Sequence, residues 1–275
     1  MKNSQTKRFL IAFDMDGTLL NDKKTISWRT RRFLHHLDRQ GHIVVLASGR
    51  PVRALRRYYD LLNLRSPLVC YNGACIINPH DDQFPGKSYQ FPKETVKAIY
   101  EAVGPEHIDN VMCETNKDIW LIHEDEDLTA FFWHEKMNIY YGDLSETLTE
   151  NPMTMIIKSK ERGGEGDKRL LEAVAQHPGF SLRFWNRSVF SEIYYDDVSK
   201  GHALAHIAAY YGIPHEHIIA FGDAENDLEM LDMAGIGVAM KNATDVTKTH
   251  ANVITKKDNN HNGIVPTLRK LLKTK

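Results

Sequence analysis

Short apolar runs alternate with amphipathic segments along two separate stretches of the chain, and this alternation is the feature that most restricts the fold. The first stretch predicts strands at Phe9–Phe13, His42–Ser48 and Pro67–Gly73, with helices near 27–40 and 51–62 between them. Successive strands joined by helices form a parallel sheet with right-handed crossovers. The first 80 residues therefore predict one half of a doubly wound sheet.

The second stretch, from about residue 196, returns to the same alternation of helices and strands. Between the two stretches, strand patterns follow one another without a helix, which favours an antiparallel sheet with helices on one face. We predict an α/β fold in which a doubly wound, parallel-sheet (Rossmann-like) core, residues 1–80 and 196–275, carries an inserted α+β domain at 81–195. A chain of 275 residues suits such an arrangement.

Composition excludes several classes of partner. The 35 basic and 36 acidic residues leave a formal net charge of −1, which gives no general attraction to nucleic acid or anionic lipid. No apolar run reaches the roughly 18–20 residues that span a bilayer, and the first residues lack the pattern of a secretion signal. We expect a cytoplasmic protein with three reduced cysteines, and the sequence implies no nucleic-acid, membrane or protein partner.

Side chains suited to catalysis follow the predicted core strands at their carboxyl ends, where open parallel sheets bind ligands. They are Asp14 and Asp16 after the first strand, Ser48, Gly49 and Arg50 after the second, Asn72 and Gly73 after the third, Asp223, Asn226 and Asp227 after "IIAF", and Lys200 at the start of the preceding helix. Carboxylates gathered at one edge repel each other, and a hard cation such as Mg²⁺ relieves that repulsion. A phosphate group is expected to complete the metal shell.

The two acids after the first strand have complementary uses. Asp14 can attack phosphorus as a nucleophile. In an extended chain Asp16 projects from the same face and can protonate the leaving oxygen, then deprotonate the attacking water. Ser48 and Lys200 can bind the remaining phosphate oxygens, and Gly17 lets the backbone turn away. This pattern predicts hydrolysis of a phosphate monoester.

The motifs "DMDGTLL", "ASGR", "NGA", "SKG" and "GDAENDLEM" occur in this order along the chain, and the sequence resembles the haloacid dehalogenase superfamily of phosphohydrolases. More narrowly, it resembles the Cof-type branch, in which a large α/β cap lies between the second and third motifs. The resemblance covers essentially the whole chain. It implies that the inserted domain is a cap domain, which closes over the phosphate site and contributes to substrate choice.

The resemblance also implies a role for each motif residue. Asp14 matches the nucleophile and a Mg²⁺ ligand, while Asp16 matches the general acid/base and offers its backbone carbonyl to the metal. Ser48 matches the hydroxyl that binds the transferring phosphoryl group, and Lys200 matches the cation that neutralises it. Asp223 matches the second carboxylate of the metal site.

The remaining matches have less defined roles. Asn226 and Asp227 match residues that ligate or orient the metal. A phosphate-side loop is matched by Arg50, Asn72 and Gly73, and Gly49 beside Arg50 is a further candidate for phosphate binding. Relatives often carry an acidic residue before Gly-Val near the C-terminus, where this chain has Asn262.

No motif aligns the residues of the cap. Arg183, Asn186 and Ser188 lie near a predicted hairpin turn, and we predict that they form a substrate-facing edge. On the core helix after Ser199, His202 and His206 have a spacing that can bind zinc. Because the Glu of zinc proteases is missing, we predict ordinary helix histidines there.

The leading hypothesis is a Mg²⁺-dependent phosphatase that hydrolyses small phosphorylated metabolites, either sugar phosphates or phosphorylated cofactors, through an aspartyl-phosphate intermediate. A phosphomutase acting on sugar phosphates is one alternative. A non-catalytic regulator that binds a phosphorylated metabolite is another, although intact Asp14, Asp16, Lys200 and Asp223 argue against it.

Overall fold

The computed structural model describes residues 7–131, 136–185 and 188–272. The chain divides into two compact units, which are Met1–Lys87 with Ser199–Lys275, and Ser88–Val198. The first unit is built on an eight-stranded sheet and the second on a six-stranded sheet. None of the helices within the described residues is long and apolar enough to cross a membrane.

Fourteen strands lie in the described part of the chain. They are β1 (Leu10–Phe13), β2 (Ile43–Ala47), β3 (Leu68–Cys70), β4 (Cys75–Ile77), β5 (Lys87–Ser88), β6 (Ile108–Glu114), β7 (Asp118–Leu121), β8 (Asn138–Tyr141), β9 (Thr154–Ser159), β10 (Phe180–Phe184), β11 (Phe190–Tyr195), β12 (Ile218–Gly222), β13 (Ile236–Ala239) and β14 (Val253–Ile254).

Ten α-helices lie in the same residues. They are α1 (Trp28–Arg39), α2 (Val52–Leu62), α3 (Lys93–Val103), α4 (Glu126–Phe131), α5 (Leu144–Thr147), α6 (Glu165–Ala175), α7 (Lys200–Tyr211), α8 (Leu228–Met233), α9 (Asp245–Thr249) and α10 (Ile264–Leu272).

The first sheet reverses its strand order next to β1. Its order is β14-β13-β12-β1-β2-β3-β4-β5, and β1 pairs in parallel with β2 on one side and β12 on the other. The chain thus builds the sheet outward from β1 in one direction and from β12 in the other. In sheets of this kind, ligands bind beyond the carboxyl ends of the strands at the point of reversal.

Burial of the central strands holds this sheet together. All four residues of β1 have no exposed surface, and α7 packs Ala203, Leu204 and Ile207 into the same core as Leu10 and Ala12. Each fully buried aliphatic side chain of this size stabilises the fold by about 1.5–3 kcal/mol. Strands buried in this way read as continuous apolar runs, which is why the sequence pattern identifies them.

The predicted fold class is confirmed, with a mainly parallel core sheet and a second sheet in the inserted segment. The helix predicted near 27–40 is α1, and the Ser27 side chain caps it by accepting a hydrogen bond from the Thr30 backbone N–H at 3.1 Å. The sequence pattern missed β4, β5 and β8, which contain two to four residues each. β5 and β8 are mostly exposed, so no apolar run marks them in the sequence.

The second sheet is mixed, and here the antiparallel prediction needs correction. Its order is β10-β11-β9-β6-β7-β8, and β7 pairs with β8 in parallel while the other neighbouring pairs are antiparallel. Helix α4 is described as far as Phe131. Residues 132–135 lie outside the described residues.

A buried aspartate organises one loop of the second unit. The Asp167 carboxylate accepts hydrogen bonds from the Ser159 hydroxyl at 2.7 Å, the Gly163 backbone N–H at 2.7 Å and the Arg162 guanidinium at 2.9 Å. Burial opposes its charge, but these donors outweigh burial and lower the pKa of Asp167 below its usual value. The ionised form of Asp167 therefore stabilises the fold.

We expect Asp167→Asn to lower the free energy of unfolding by about 2 kcal/mol at neutral pH, because an amide presents a donor where only acceptors fit. The loss should shrink in acid. A carboxyl whose pKa is depressed in the folded state stabilises above its unfolded pKa of about 3.9, and this contribution disappears as the pH falls through the folded pKa.

Urea unfolding at neutral and acid pH measures this difference. Asp197→Asn, at an exposed aspartate of the same unit, is the matched control and should change stability little at either pH. An equal loss in both variants, or a loss that grows as the pH falls, would contradict the assignment.

Candidate active site

The point of reversal in the first sheet brings two acids together. Asp14 directly follows β1 and its backbone N–H donates to the Phe221 carbonyl at 2.9 Å, so that the β1–β12 ladder continues to the acid. Asp223 directly follows β12. The parallel pairing of these strands therefore places both carboxylates at the same edge of the sheet.

A third acid and a buried lysine complete this cluster. Oxygen atoms of Asp14, Asp223 and Asp227 lie within 4.8 Å of one another. The Lys200 ammonium donates to Asp14 Oδ1 at 2.6 Å and to Asp227 Oδ1 at 2.7 Å, and the lysine has no exposed surface. Among the described residues, these three acids are the group arranged to hold a metal ion.

The cluster holds more negative charge than Lys200 can neutralise. Burial raises the pKa of Asp14 well above its usual value, and repulsion from Asp227 and Asp223 adds to burial against the opposing effect of Lys200. Burial and the Asp227 charge raise the pKa of Asp223 to about 7. Three carboxylates against one ammonium leave a formal charge of −2, which a divalent cation would balance.

Asp227 also shapes the loop after β12. Its Oδ2 accepts the backbone N–H groups of Asp223 at 2.9 Å and of Ala224 at 3.1 Å, while its Oδ1 accepts from Lys200. Both of its oxygens are therefore engaged, and the residue has no exposed surface. Asp227 orients the loop that carries Asp223, as well as contributing charge to the cluster.

Gly17 and Thr18, in the loop that follows Asp14, fix the position of Asp223. The Thr18 hydroxyl donates to Asp223 Oδ1 at 2.7 Å. Gly17 has a φ of +79°, and a Cβ added there would lie 2.2 Å from Asp223 Oδ2. Only glycine allows both that backbone conformation and the close approach of the carboxylate.

The carboxylate of Asp16 lies outside the group of three acids and binds two cations. Arg50 donates to it through Nε at 2.6 Å and Nη2 at 2.7 Å, and the Lys24 ammonium donates at 2.6 Å. Burial opposes ionisation, but these two cations lower the pKa of Asp16 below its usual value. Metal binding through the backbone carbonyl of Asp16 stays a prediction.

The ends of β2 and β3 contribute a polar rim to the same edge. Ser48 is buried, and its Oγ accepts the backbone N–H of Arg50 at 3.2 Å. The backbone N–H of Asn72 donates to the Ser48 carbonyl at 3.0 Å, and the Asn226 side chain donates to Asn72 Oδ1 at 3.0 Å. Gly49 lies against the Asn72 amide.

Gly73 approaches the helix that carries the lysine. A Cβ at this position would lie 2.4 Å from the Ser199 carbonyl, directly before Lys200. The structure therefore brings the predicted core residues together. They are Asp14, Asp16, Ser48, Gly49, Arg50, Asn72, Gly73, Lys200, Asp223, Asn226 and Asp227.

The residues predicted at the cap edge belong to the second unit. Arg183 lies over the Tyr194 ring, 4.6 Å from its centroid, and 3.7 Å from Glu192. The Ser188 hydroxyl accepts the backbone N–H of Phe190 at 3.2 Å. Asn186 lies outside the described residues. A substrate contact for this edge stays a prediction.

Two other predictions concern residues away from the cluster. His202 bonds the Ser199 hydroxyl at 3.2 Å, whereas His206 bonds the Pro85 carbonyl at 2.7 Å. The two rings therefore engage separate partners within the first unit, as ordinary helix histidines do. Asn262 accepts a hydrogen bond from the Thr30 hydroxyl at 2.8 Å and ties its loop to α1.

The sequence analysis missed two members of the site. Thr18 directly follows Gly17 in "DMDGT". A hydroxyl so close to Asp14 and Asp16 in the sequence indicates a possible hydrogen-bond donor to the acids. Lys24 belongs to the pair "KK" in a polar loop, where nothing distinguishes it from a solvated lysine. It reaches Asp16 because its φ of +56° turns the loop back toward the site.

Comparison with known proteins agrees with this geometry. The profile of the haloacid dehalogenase-like hydrolase family matches residues 11–268. The 5-amino-6-(5-phospho-D-ribitylamino)uracil phosphatase YitU of Bacillus subtilis is 38% identical over 248 residues, covering 90% of this chain and 92% of the relative. The pyridoxal phosphate phosphatase YbhA of Escherichia coli is 26% identical over 258 residues, 89% of this chain and 92% of the relative.

Among solved structures, a haloacid dehalogenase-like hydrolase from Bacteroides thetaiotaomicron superposes with a TM-score of 0.80 at 27% identity. The match covers 96% of this chain and 100% of that one. The acids at the point of reversal of this doubly wound core lie where open parallel sheets bind ligands. The chain belongs to the haloacid dehalogenase-like hydrolase family and is a phosphatase of its Cof-type branch.

We expect Gly17→Ala to reduce phosphatase activity by about 100-fold, because its new methyl group would displace the Asp223 carboxylate. Gly41→Ala is the matched control. Gly41 has a φ of +89°, but a Cβ there meets no atom within 4 Å. Both variants carry the backbone strain of about 1–2 kcal/mol, whereas only one carries the clash.

Steady-state kinetics together with thermal unfolding separates the two effects. The expected result is a similar loss of stability in both variants and a loss of activity in Gly17→Ala alone. Equal activity in the two variants would show that Gly17 does not fix Asp223.

Proposed function

We propose that this protein is a Mg²⁺-dependent phosphatase that hydrolyses small phosphorylated metabolites through an aspartyl phosphate on Asp14. The observation that carries the proposal is the convergence of Asp14, Asp223 and Asp227 on one buried lysine at the edge of the sheet. The inserted unit, residues 88–198, is proposed to be the cap that selects the substrate.

In the first step, an oxygen of Asp14 attacks phosphorus and the ester P–O bond breaks. Lys200 holds the attacking carboxylate in place, since its ammonium donates to Asp14 Oδ1 at 2.6 Å. Asp16, which takes up a proton from solvent once Arg50 and Lys24 release its carboxylate, gives that proton to the leaving oxygen. The side chain of Ser48 and the backbone N–H groups after β2 are proposed to bind the non-reacting phosphate oxygens.

In the second step, Asp16 takes a proton from water, and the water oxygen attacks phosphorus. The P–O bond to Asp14 breaks, which releases inorganic phosphate and restores both acids. Arg50 and Lys24 bind the Asp16 carboxylate in this structure, and an incoming phosphate dianion would compete with Asp16 for these two cations. That exchange would free Asp16 to face the leaving oxygen.

Asp14 and Asp223 are the carboxylates proposed to hold Mg²⁺, and Asp227 supports the loop that carries Asp223. When bound, the ion supplies positive charge to the phosphate oxygens and offsets the formal charge of −2 at the site. The donor set fits this ion, because Mg²⁺ prefers hard oxygen ligands and its charge would offset the repulsion among these carboxylates.

Phosphorylated cofactors and their precursors are the proposed substrates, ahead of simple sugar phosphates. Relatives with this range of substrates support the choice, since YitU acts on a ribityl phosphate attached to a pyrimidine ring and YbhA acts on pyridoxal phosphate. The ribityl compound is the first candidate because YitU is 38% identical to this chain.

The test measures phosphate release from 5-amino-6-(5-phospho-D-ribitylamino)uracil, pyridoxal phosphate, several sugar phosphates and an aryl phosphate. Each is assayed with Mg²⁺ and with a chelator. We expect Asp14→Asn to lower turnover by about three orders of magnitude or more, because the nucleophile is removed. Asp60→Asn, at an exposed acid of the same unit, is the matched control and should retain activity.

Release that persists in Asp14→Asn, or that does not depend on Mg²⁺, would contradict the proposed mechanism. Phosphate returned to a different position of a sugar phosphate would indicate a mutase instead. Tight binding without release from any member of the panel would indicate a regulator.

A further inference from the structure

Two loops that carry none of the clustered acids bind the backbone of the loop that follows Asp14. Asn242 lies after β13, and Asn259 lies after β14. The side-chain amide of Asn242 donates to the Gly17 carbonyl at 2.7 Å, and that of Asn259 donates to the Leu20 carbonyl at 3.0 Å. Two further strand ends therefore take part in the catalytic edge of the first unit.

Backbone hydrogen bonds close the segment from Asp14 to Leu20 into a compact turn. The Leu19 N–H donates to the Asp14 carbonyl at 3.2 Å, and the Leu20 N–H donates to the Met15 carbonyl at 2.8 Å. Gly17, whose φ is +79°, lies inside this turn and presents its carbonyl to the side chain from the loop after β13. The turn is thus closed by its own backbone and held from outside by side chains of other loops.

The order of the sheet makes the Asn242 contact a bridge across the loop that carries Asp223. Because β12 lies between β1 and β13, a bond from the loop after β13 to the loop after β1 passes the end of β12. The Thr244 backbone N–H, from the same segment as Asn242, donates to the Asp223 carbonyl at 3.1 Å. The Thr18 hydroxyl, next to Gly17, donates to the Asp223 carboxylate. Asp223 is therefore held by both loops, and Asn242 joins them.

Both polar atoms of the Asn242 side chain are engaged. While its Nδ2 donates to Gly17, its Oδ1 accepts the backbone N–H of Asn259 at 3.2 Å. The Asn259 amide also donates to the Asp22 carboxylate at 3.2 Å, and Asn260 donates to the same carboxylate at 3.0 Å. Asn242 is therefore the link between the turn that contains Gly17 and the loop after β14.

Asn252 is an example of an asparagine with a structural role in the same unit. It lies directly before β14, is exposed like Asn242, and its Oδ1 accepts the Gly237 backbone N–H at 2.7 Å. Gly237 belongs to the first half of β13, at the end of the sheet away from the acids. Both asparagines stabilise loops, but Asn242 binds the turn that carries Asp14 and Thr18, whereas Asn252 does not.

We propose that Asn242 is a positioning residue for phosphoryl transfer, which acts by holding the turn after β1 against the loop after β12. Asp14 belongs to that turn and Asp223 to that loop, so the Asn242 bond to Gly17 constrains the distance between the two carboxylates. The proposal rests on the proposed phosphatase function and extends its machinery to the loop after β13.

Steady-state kinetics on the substrate that releases phosphate fastest in the panel tests the proposal. We expect Asn242→Asp to lower kcat by about tenfold or more, because the new carboxylate keeps the acceptor for Asn259 but has no donor for the Gly17 carbonyl. KM should change by less than about threefold, since the groups proposed to bind the phosphate, Ser48 among them, follow β2.

Asn252→Ala is the matched control for Asn242→Ala. Both variants lose side-chain bonds to the backbone, so both should lower Tm by about 2–4 °C. A fall in kcat is expected for Asn242→Ala alone. Hydrogen exchange without substrate measures the turn directly, and the Leu19 and Leu20 amides should exchange about fivefold faster in Asn242→Ala than in Asn252→Ala.

Three results would overturn the proposal. One is an equal change of kcat in Asn242→Ala and Asn252→Ala. Another is a rise in KM with kcat unchanged in Asn242→Asp. The third is equal exchange of the Leu19 and Leu20 amides in the two alanine variants. If the wild-type protein releases no phosphate from any compound, the proposed function fails, and the exchange result alone decides whether Asn242 holds the turn.

Discussion

The buried ammonium of Lys200 is the interaction on which the catalytic edge of the first unit depends. Its two partners, Asp14 and Asp227, belong to distant parts of the chain, since Asp14 and Lys200 are 186 residues apart. A fully buried lysine is costly unless it is paired, and leaving buried carboxylates without their cation is equally costly. The lysine and the acids therefore require each other, and together they join the loops that follow β1 and β12.

From that interaction the remaining geometry follows in steps. Asp227, held by Lys200, receives the backbone N–H groups of the loop after β12 and so directs Asp223 toward Asp14. Thr18 and Gly17 fix Asp223 from the other side. The sheet supplies the rigid frame, because the β1–β12 pairing continues up to the backbone of Asp14. Such a surrounding keeps catalytic groups in position before any substrate arrives.

The sequence predicts this edge well for a physical reason. Each core strand is buried on both faces, so its apolar run is continuous, and the first polar residue after it marks the carboxyl end. Asp14, Ser48 and Asp223 are all found in this way. Lys24 is missed because it acts through a turn in its loop, and β8 is missed because most of its residues are exposed and form no apolar run. The edge of the cap cannot be read from the sequence either, since Arg183 belongs to no motif and is surrounded by local partners.

The pairing of Leu10 with Ile218 carries a consequence for synthesis on the ribosome. After β1, β2 and β3 have emerged, the residues of the inserted unit, 88–198, must be translated before β12 exists, which takes roughly 5–20 s. During this interval β1 presents an apolar edge with unpaired backbone groups, the kind of surface that promotes aggregation. The inserted unit has its own buried core, whereas β1 has no pairing partner on this side until β12 is synthesised. Binding by a chaperone would therefore protect the nascent chain most during this interval.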